Sequence, residues 1–257
     1  MEHYITTSTA KIWTHISDDS KNCGKPFLFM YGGGPGCSDG LFEVDPLLNH
    51  RFNTVRFDPR GCGRSTEDGR YDIETAIDDI EAIRQFYKID SWHMLGHSWG
   101  ADICLFYAIK YTLRCKSVIH FCGHGVHNDA DWSEECAKRD DDPDGLPKGN
   151  GYPMNYDVLD KQLKSYWKYI QAPMLLKNIA MLQIPVLVIC AENDPRPKWP
   201  DIQLANLLPD AVLKILPGCG HFSWVTHPDL LVKTIFDWFD GKTKTLGAPP
   251  PNPRLAP

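Results

Sequence analysis

Short apolar runs alternate along this chain with longer segments in which apolar residues recur every three or four positions. The short runs predict buried strands at 27–31, 53–57, 92–95, 117–121, 185–190 and 211–216. The longer segments predict amphipathic helices at 73–87, 101–111 and 225–239. Because strands and helices alternate, we expect an α/β fold with a mostly parallel central sheet and helices on both faces.

The alternation stops between residues 124 and 182, where no clear strand is predicted. This stretch starts acidic, passes through a Pro/Gly/Asn-rich loop and ends in a helix-like segment. An insertion of this kind between two core strands predicts a short cap over the carboxyl edge of the sheet. The expected organisation is therefore a core of residues 1–123 and 183–246, a cap of residues 124–182, and a disordered Pro-rich tail of residues 247–257.

Composition narrows the class of protein. The 257 residues are 42% hydrophobic and 23% charged, which is typical of a globular chain, and the net charge of −6 argues against nucleic acid as a partner. No apolar run reaches the roughly 18 residues that span a bilayer, and residues 1–13 do not resemble a signal peptide. Nine scattered cysteines favour reduced thiols, so a cytoplasmic protein without a membrane partner is expected; the oligomeric state stays open.

The strand at 92–95 runs directly into Gly96-His97-Ser98-Trp99-Gly100, and a helix is predicted after it. This G-x-S-x-G pattern is typical of a serine held at a sharp strand-to-helix turn, where side chains at the two glycines would crowd the backbone. The turn exposes the hydroxyl at the positive end of a helix, where a base can reach it. Ser98 is therefore the candidate nucleophile.

A nucleophilic serine needs a base, and that base needs an acid to orient it. His221 lies in a glycine-rich loop after the last predicted strand, and Asp194 lies in the turn after the strand before it. The chain order Ser, Asp, His is the one expected for this kind of fold. Glu192 and Asp201 are the alternative acids. Asp194 is preferred because Glu192 follows the strand too closely and Asp201 is expected in the next helix.

Acyl transfer also needs hydrogen-bond donors for the developing oxyanion. The backbone N–H of Trp99, directly after the nucleophile, is the first candidate. The second is expected from the Gly-rich turn after the first long strand, at Gly34 or alternatively Gly33. A phosphate-binding role for this turn is disfavoured, because no Lys-Ser or Lys-Thr follows the glycines.

One cluster of histidines and a cysteine has a spacing that zinc ligands sometimes show: His120, Cys122, His124 and His127. The stretch runs from a strand end into the cap, so the side chains are expected to point in different directions. We therefore predict no metal site there and no cofactor, and we interpret His124 or His127 as a pocket-lining residue.

Four motifs together resemble the α/β-hydrolase superfamily and, within it, the proline iminopeptidase (prolyl aminopeptidase) group of serine peptidases. They are the Gly32–Gly36 turn, the stretch from Asp58 to Ser65, Ser98-Trp99-Gly100, and Gly218-Cys219-Gly220-His221. The resemblance spans roughly residues 25–122 and 183–240. It implies an α/β-hydrolase fold and a cofactor-free aminopeptidase that acts on small peptides or amides with a free amino terminus.

The resemblance also suggests candidate substrate-binding residues. The family's cap supplies glutamates that hold the substrate's amino group, and Glu134 and Glu135 are the obvious counterparts here. Trp167 and the other cap aromatics are expected either to line an apolar acyl pocket or to pack the cap onto the core. His97 stands where iminopeptidases usually carry glycine, as it does in many esterases and lactonases. An esterase or lactonase is therefore the alternative expectation, and a non-catalytic ligand receptor is a more remote one.

Overall fold

A single eight-stranded sheet organises the protein, whose computed structural model describes residues 1–7, 9–17, 24–127, 130–138 and 144–241. The strand order across the sheet is β1-β2-β4-β3-β5-β6-β7-β8. The strands are β1 (Glu2–Thr6), β2 (Lys11–Ile16), β3 (Phe27–Tyr31), β4 (Asn53–Phe57), β5 (Trp92–His97), β6 (Cys115–Phe121), β7 (Val186–Ala191) and β8 (Ala211–Leu216).

The six strands predicted from the apolar runs form the parallel part of this sheet, from β4 to β8. The first two strands were not predicted. They form an antiparallel hairpin that joins the sheet through β2 and β4. Their side chains are partly polar, and β1 is an edge strand with four of its five residues incompletely buried, so the local apolar signal is weak.

Helices cover both faces of the sheet. Successive side chains of a strand point to opposite faces, and in the central strands the side chains on both faces are apolar. In β3, Phe29 and Tyr31 enter one apolar cluster, while Leu28 and Met30 enter the other. The helices are α1 (Asp45–Leu48), α2 (Ile73–Phe86), α3 (Trp99–Lys110), α4 (Ala130–Ala137), α5 (Tyr156–Ile170), α6 (Leu175–Ala180), α7 (Trp199–Leu207), α8 (Ser223–Thr226) and α9 (Pro228–Phe239).

The prediction of one continuous helix over 225–239 is wrong, because the structure has two helices there. The structure divides it into α8 and α9 at His227, whose backbone has φ −129° and ψ 50°. Pro228 explains the break, because a proline disfavours helical conformation in the residue before it and cannot donate a backbone hydrogen bond.

The segment predicted as a cap lies between β6 and β7 and contains α4, α5 and α6. The predicted tail, residues 247–257, lies outside the described residues, as does much of the acidic run before residue 144. Among the described helices, none is both long and apolar enough to cross a membrane.

Candidate active site

Ser98 lies at the turn between β5 and α3, in a backbone conformation that is rare for a residue with a side chain. Its φ is 55° and its ψ is −126°. The strained turn is held from both sides: the Ser98 N–H donates to the Phe121 carbonyl at 2.9 Å, and the Ser98 carbonyl accepts from the Ala101 N–H at 2.9 Å. The serine therefore starts α3, and the first N–H groups of that helix point toward it.

The two glycines around Ser98 are required by close backbone approach. A Cβ added at Gly96 would lie 2.3 Å from the Gly100 carbonyl oxygen, and one at Gly100 would lie 2.1 Å from the Tyr31 carbonyl oxygen. Both obstacles are backbone atoms, which cannot rotate away. The G-x-S-x-G pattern thus has the steric cause in this molecule that the sequence predicted.

His221 and Asp194 lie together at the carboxyl edge of the sheet. The Nδ1 atom of His221 is 2.7 Å from Oδ2 of Asp194, and both side chains are buried. The other oxygen, Oδ1, accepts from the Arg196 N–H at 2.8 Å. Burial by itself would raise the pKa of Asp194, but the hydrogen bond and charge of His221 outweigh it and lower this pKa to about 2. Asp194 is therefore a carboxylate at neutral pH.

The two alternative acids occupy other places. Glu192 is exposed, and its Oε2 accepts a hydrogen bond from the Gly218 N–H at 2.7 Å. Asp201 lies in α7, as predicted, and its Oδ1 is 3.6 Å from Nδ1 of His120. The geometry therefore favours Asp194 as the partner of His221.

His97 connects the nucleophile turn with the histidine loop. Its Nε2 lies 2.9 Å from the carbonyl oxygen of His221, and the two imidazole rings are 4.4 Å apart between centroids. Burial, together with nearby His221, lowers the pKa of His97 well below its ordinary value, so the ring is neutral. Neutral His97 can donate from Nε2 to that carbonyl. The residue predicted to bind substrate thus packs against the loop that carries His221.

The glycine turn after β3 lies against the inserted segment. Gly33 has a φ of +92°, which glycine adopts without strain. A Cβ at Gly36 would lie 2.4 Å from the Asn155 carbonyl oxygen, and the Gly36 carbonyl accepts from the Asn155 N–H at 2.9 Å. At Gly34, by contrast, an added Cβ would meet only the Cys37 sulfur, at 3.8 Å. The second predicted oxyanion donor is therefore in a turn held by its neighbours.

The inserted segment is hydrogen-bonded to two further parts of the candidate site. The buried carboxylate of Asp144 accepts from the N–H of Gly220, next to His221, at 2.8 Å. The hydroxyl of Tyr166, in α5, donates to Oδ2 of Asp102, in the first turn of α3, at 3.0 Å. The insertion therefore hydrogen-bonds to three parts of the candidate site through residues 144–166. These parts are helix α3, the loop that carries His221, and the glycine turn after β3.

Asp102 is the centre of a buried polar network that sequence reasoning missed. Its Oδ1 accepts from His120 Nε2 at 2.9 Å and from the Gly125 N–H at 3.3 Å. Burial by itself would raise the pKa of Asp102, but the hydrogen bonds and charges of His120 and His124 outweigh it and lower this pKa. Burial raises the pKa of Asp201, on the far side of His120, to about 8. The available signal was a lone aspartate in a helix whose only other charged residue is Lys110, at its end.

The predicted substrate-binding side chains do not converge on one point. Nδ1 of His124 is 3.5 Å from Oδ2 of Asp102, so this histidine joins the buried network. Trp167 is 36% exposed on α5. Glu134 is exposed on α4, and Glu135 pairs with Lys138, the residue directly after this helix, at 2.5 Å.

The cysteine of the His120, Cys122, His124 and His127 cluster is separated from the three histidines. His120 contacts Asp102, His124 lies beside the same carboxylate, and the ring of His127 packs on Trp132 at 4.8 Å. Cys122 lies elsewhere, near Asp194 and His221. The expectation that these side chains point in different directions holds for Cys122, but it is wrong for His120 and His124, which meet at the two oxygens of one carboxylate.

Comparison with known proteins relates the chain to hydrolases. The family model for the α/β hydrolase fold matches residues 26–146. A proline iminopeptidase of Lactobacillus helveticus is 23% identical over 266 residues, covering 84% of this chain and 90% of that protein. A proline iminopeptidase of Clostridioides difficile is 30% identical over 114 residues, covering 43% of this chain and 39% of the relative.

Solved structures share the whole fold at low identity. A 2-hydroxy-6-oxo-6-phenylhexa-2,4-dienoate hydrolase from Rhodococcus sp. strain RHA1 aligns with a TM-score of 0.75 and 18% identity, covering 93% of this chain and 98% of that one. A proline iminopeptidase from Mycobacterium smegmatis aligns with a TM-score of 0.68 and 14% identity, covering 94% of this chain and 98% of that one.

The protein is therefore a hydrolase with the α/β-hydrolase fold. In sequence it resembles proline iminopeptidases, as the four motifs predicted.

Proposed function

We propose that the protein is a serine hydrolase that works through an acyl-enzyme, with Ser98 as nucleophile, His221 as base and Asp194 as the orienting acid. The observation that carries this proposal is the 2.7 Å contact of His221 Nδ1 with Asp194, in a histidine that packs on the residue directly before Ser98. A carboxylate on Nδ1 fixes the tautomer in which Nε2 carries the lone pair that accepts a proton.

In the proposed reaction, His221 Nε2 takes the Ser98 proton while Oγ attacks the substrate carbonyl carbon. The N–H groups of Trp99 and Gly34 stabilise the oxyanion, and His221 then gives its proton to the leaving amine or alcohol as the old bond breaks. Water, deprotonated by His221, attacks the acyl-enzyme carbonyl. The bond to Ser98 Oγ then breaks, Oγ takes the proton back from His221, and the acid is released. No step requires a metal or a cofactor.

The proposed substrates are small peptides or amides with a free N-terminal residue. Support comes from the relatives named proline iminopeptidase and from the shared motifs of the nucleophile and histidine loops. The alternative is a carboxylic ester or a lactone. A carboxylate that binds the substrate's amino group would be expected to be buried and to face the substrate. Glu134 is exposed instead, and Glu135 pairs with Lys138, which favours the alternative.

Two rates on the purified protein distinguish these classes: hydrolysis of proline β-naphthylamide and of p-nitrophenyl acetate. If the amide is cleaved with kcat/KM of about 10⁴ M⁻¹s⁻¹ or more, the aminopeptidase proposal holds. If only the ester turns over, the substrate class is wrong while the serine mechanism survives. The Ser98→Ala protein is the blank, and retention of more than about a thousandth of the activity would refute the mechanism.

A further inference from the structure

Cys122 lies just beyond β6, beside the proposed acid and base. Its N–H donates to the Ile189 carbonyl at 2.8 Å, and its φ of 48° turns the chain at the strand end. Cys122 is 3% exposed. Three possible metal-ligand atoms lie within 4.8 Å of one another, one from each of Cys122, Asp194 and His221. The proposed hydrolytic mechanism does not use this cysteine.

The three side chains offer sulfur, imidazole nitrogen and carboxylate oxygen, a donor set that suits a borderline-soft divalent ion. Zinc binds sulfur at about 2.3 Å and nitrogen or oxygen at about 2.0 Å, so its ligand atoms lie roughly 3.5 Å from each other in a tetrahedral shell. The atoms here already lie within 4.8 Å, so small side-chain rotations would close the shell. A water would complete it.

We propose that Cys122, Asp194 and His221 form an inhibitory site for a thiophilic divalent cation such as Zn²⁺. The inhibitory consequence rests on the proposed function, but binding itself does not. The ion bonds to the thiolate sulfur, a carboxylate oxygen and Nδ1 of His221. The thiol proton is released to solvent, and the Nδ1 proton of His221 moves to Nε2.

This proton shift explains the inhibition. In the free enzyme Nδ1 of His221 donates to Asp194, and Nε2 carries the lone pair that accepts the Ser98 proton. With the ion on Nδ1, the neutral ring carries its proton on Nε2 and has no lone pair left for the serine. The Asp194 hydrogen bond is lost at the same time. The nucleophile stays chemically intact, so removal of the ion restores activity.

The test uses Co²⁺ as a spectroscopic probe and Zn²⁺ as its competitor, on the full chain freed of metal with a chelator. We expect one equivalent of Co²⁺ to give a thiolate-to-cobalt charge-transfer band, Zn²⁺ to abolish it, and both ions to suppress p-nitrophenyl acetate hydrolysis at least tenfold. Cys122→Ala and Cys122→Ser should lose the band and the metal sensitivity, each judged against the same variant without metal.

Cys115→Ser is the matched control, because Cys115 is a buried thiol at the opposite end of the same strand. It should keep the band and the sensitivity. Absence of the band in the unmodified protein, or inhibition that persists in both Cys122 variants, would overturn the proposal. The two proposals fail separately: a Cys122-dependent band in a protein whose Ser98 does not react with a fluorophosphonate supports the metal site and refutes the hydrolytic mechanism.

Discussion

The carboxylate of Asp144 accepts a hydrogen bond from the backbone N–H of Gly220 at 2.8 Å, across 76 positions of sequence. Asp144 also accepts from the hydroxyl of Thr226, on the far side of the same loop. The segment inserted between β6 and β7 therefore holds the loop that carries His221. In this molecule the insertion helps to build the candidate site.

Replacement of Asp144 by alanine should reduce turnover by about tenfold to a hundredfold, because a base displaced by a fraction of an ångström loses its alignment. We also expect a loss of about 1–3 kcal/mol in the free energy of unfolding, since the Gly220 N–H is left buried without its acceptor. Steady-state kinetics and urea unfolding measure the two effects. Asp160→Ala is the control, because Asp160 forms an exposed pair with Lys164 in the same insertion. Equal behaviour of the two variants would refute the role of Asp144.

Removal of the Tyr166 hydroxyl should destabilise the packing of the insertion against α3, the helix that follows Ser98. Tyr166→Phe takes one donor from the fully buried Asp102 carboxylate, and a hydrogen bond to a charged group is worth about 1.5–3 kcal/mol. We expect that loss in chemical unfolding, together with faster amide exchange in α5. Tyr169→Phe is the matched control on the same helix, because its ring contact with Phe106 at 4.6 Å does not need the hydroxyl. A Tyr166→Phe protein as stable as Tyr169→Phe would contradict the prediction.

Gly100→Ala should destabilise the protein by about 3 kcal/mol or more, because overpacking against backbone cannot be relieved by a rotamer change. The added Cβ would lie 2.1 Å from the Tyr31 carbonyl oxygen. The comparison is Gly34→Ala, whose Cβ would meet only a sulfur at 3.8 Å and which should unfold like the unmodified protein. Thermal and urea unfolding measure the stability of the two variants. A Gly100→Ala protein as stable as the unmodified one would show that the contact with the Tyr31 carbonyl does not require glycine.

His93 should make the protein less stable in mild acid. Burial, and to a lesser degree Lys116, lower the pKa of His93 to about 4, against an unfolded value of about 6.5. Between these values the unfolded chain binds a proton that the folded chain does not, so the free energy of unfolding falls as the pH falls. The expected slope is about 1 kcal/mol per pH unit between pH 6.5 and 4.

The measurement is urea unfolding at pH 7 and pH 5 for the unmodified protein and for His93→Gln. The variant should lose about 1–2 kcal/mol less between the two pH values, since its side chain does not titrate. His50→Gln is the control at an exposed histidine. If His93→Gln keeps the full loss, the buried neutral histidine is not its source.

The local features of this fold were predictable from sequence, and the long-range ones were not. The turn at Ser98 follows from two glycines within five residues, and the six parallel strands follow from their apolar runs. The Tyr166–Asp102 bond joins residues 64 positions apart, so no periodicity reveals it. The break at His227 was readable in principle from Pro228, but the apolar spacing on either side of it continued as in one helix.

Covalent labelling determines whether Ser98 is a nucleophile activated by His221. The protein is treated with a fluorophosphonate and the modified peptide is identified by mass spectrometry, alongside Ser98→Ala and His221→Ala. We expect one label per chain, on Ser98, absent from Ser98→Ala and strongly slowed in His221→Ala. A protein that stays unlabelled, or that is labelled equally fast without His221, would contradict this expectation.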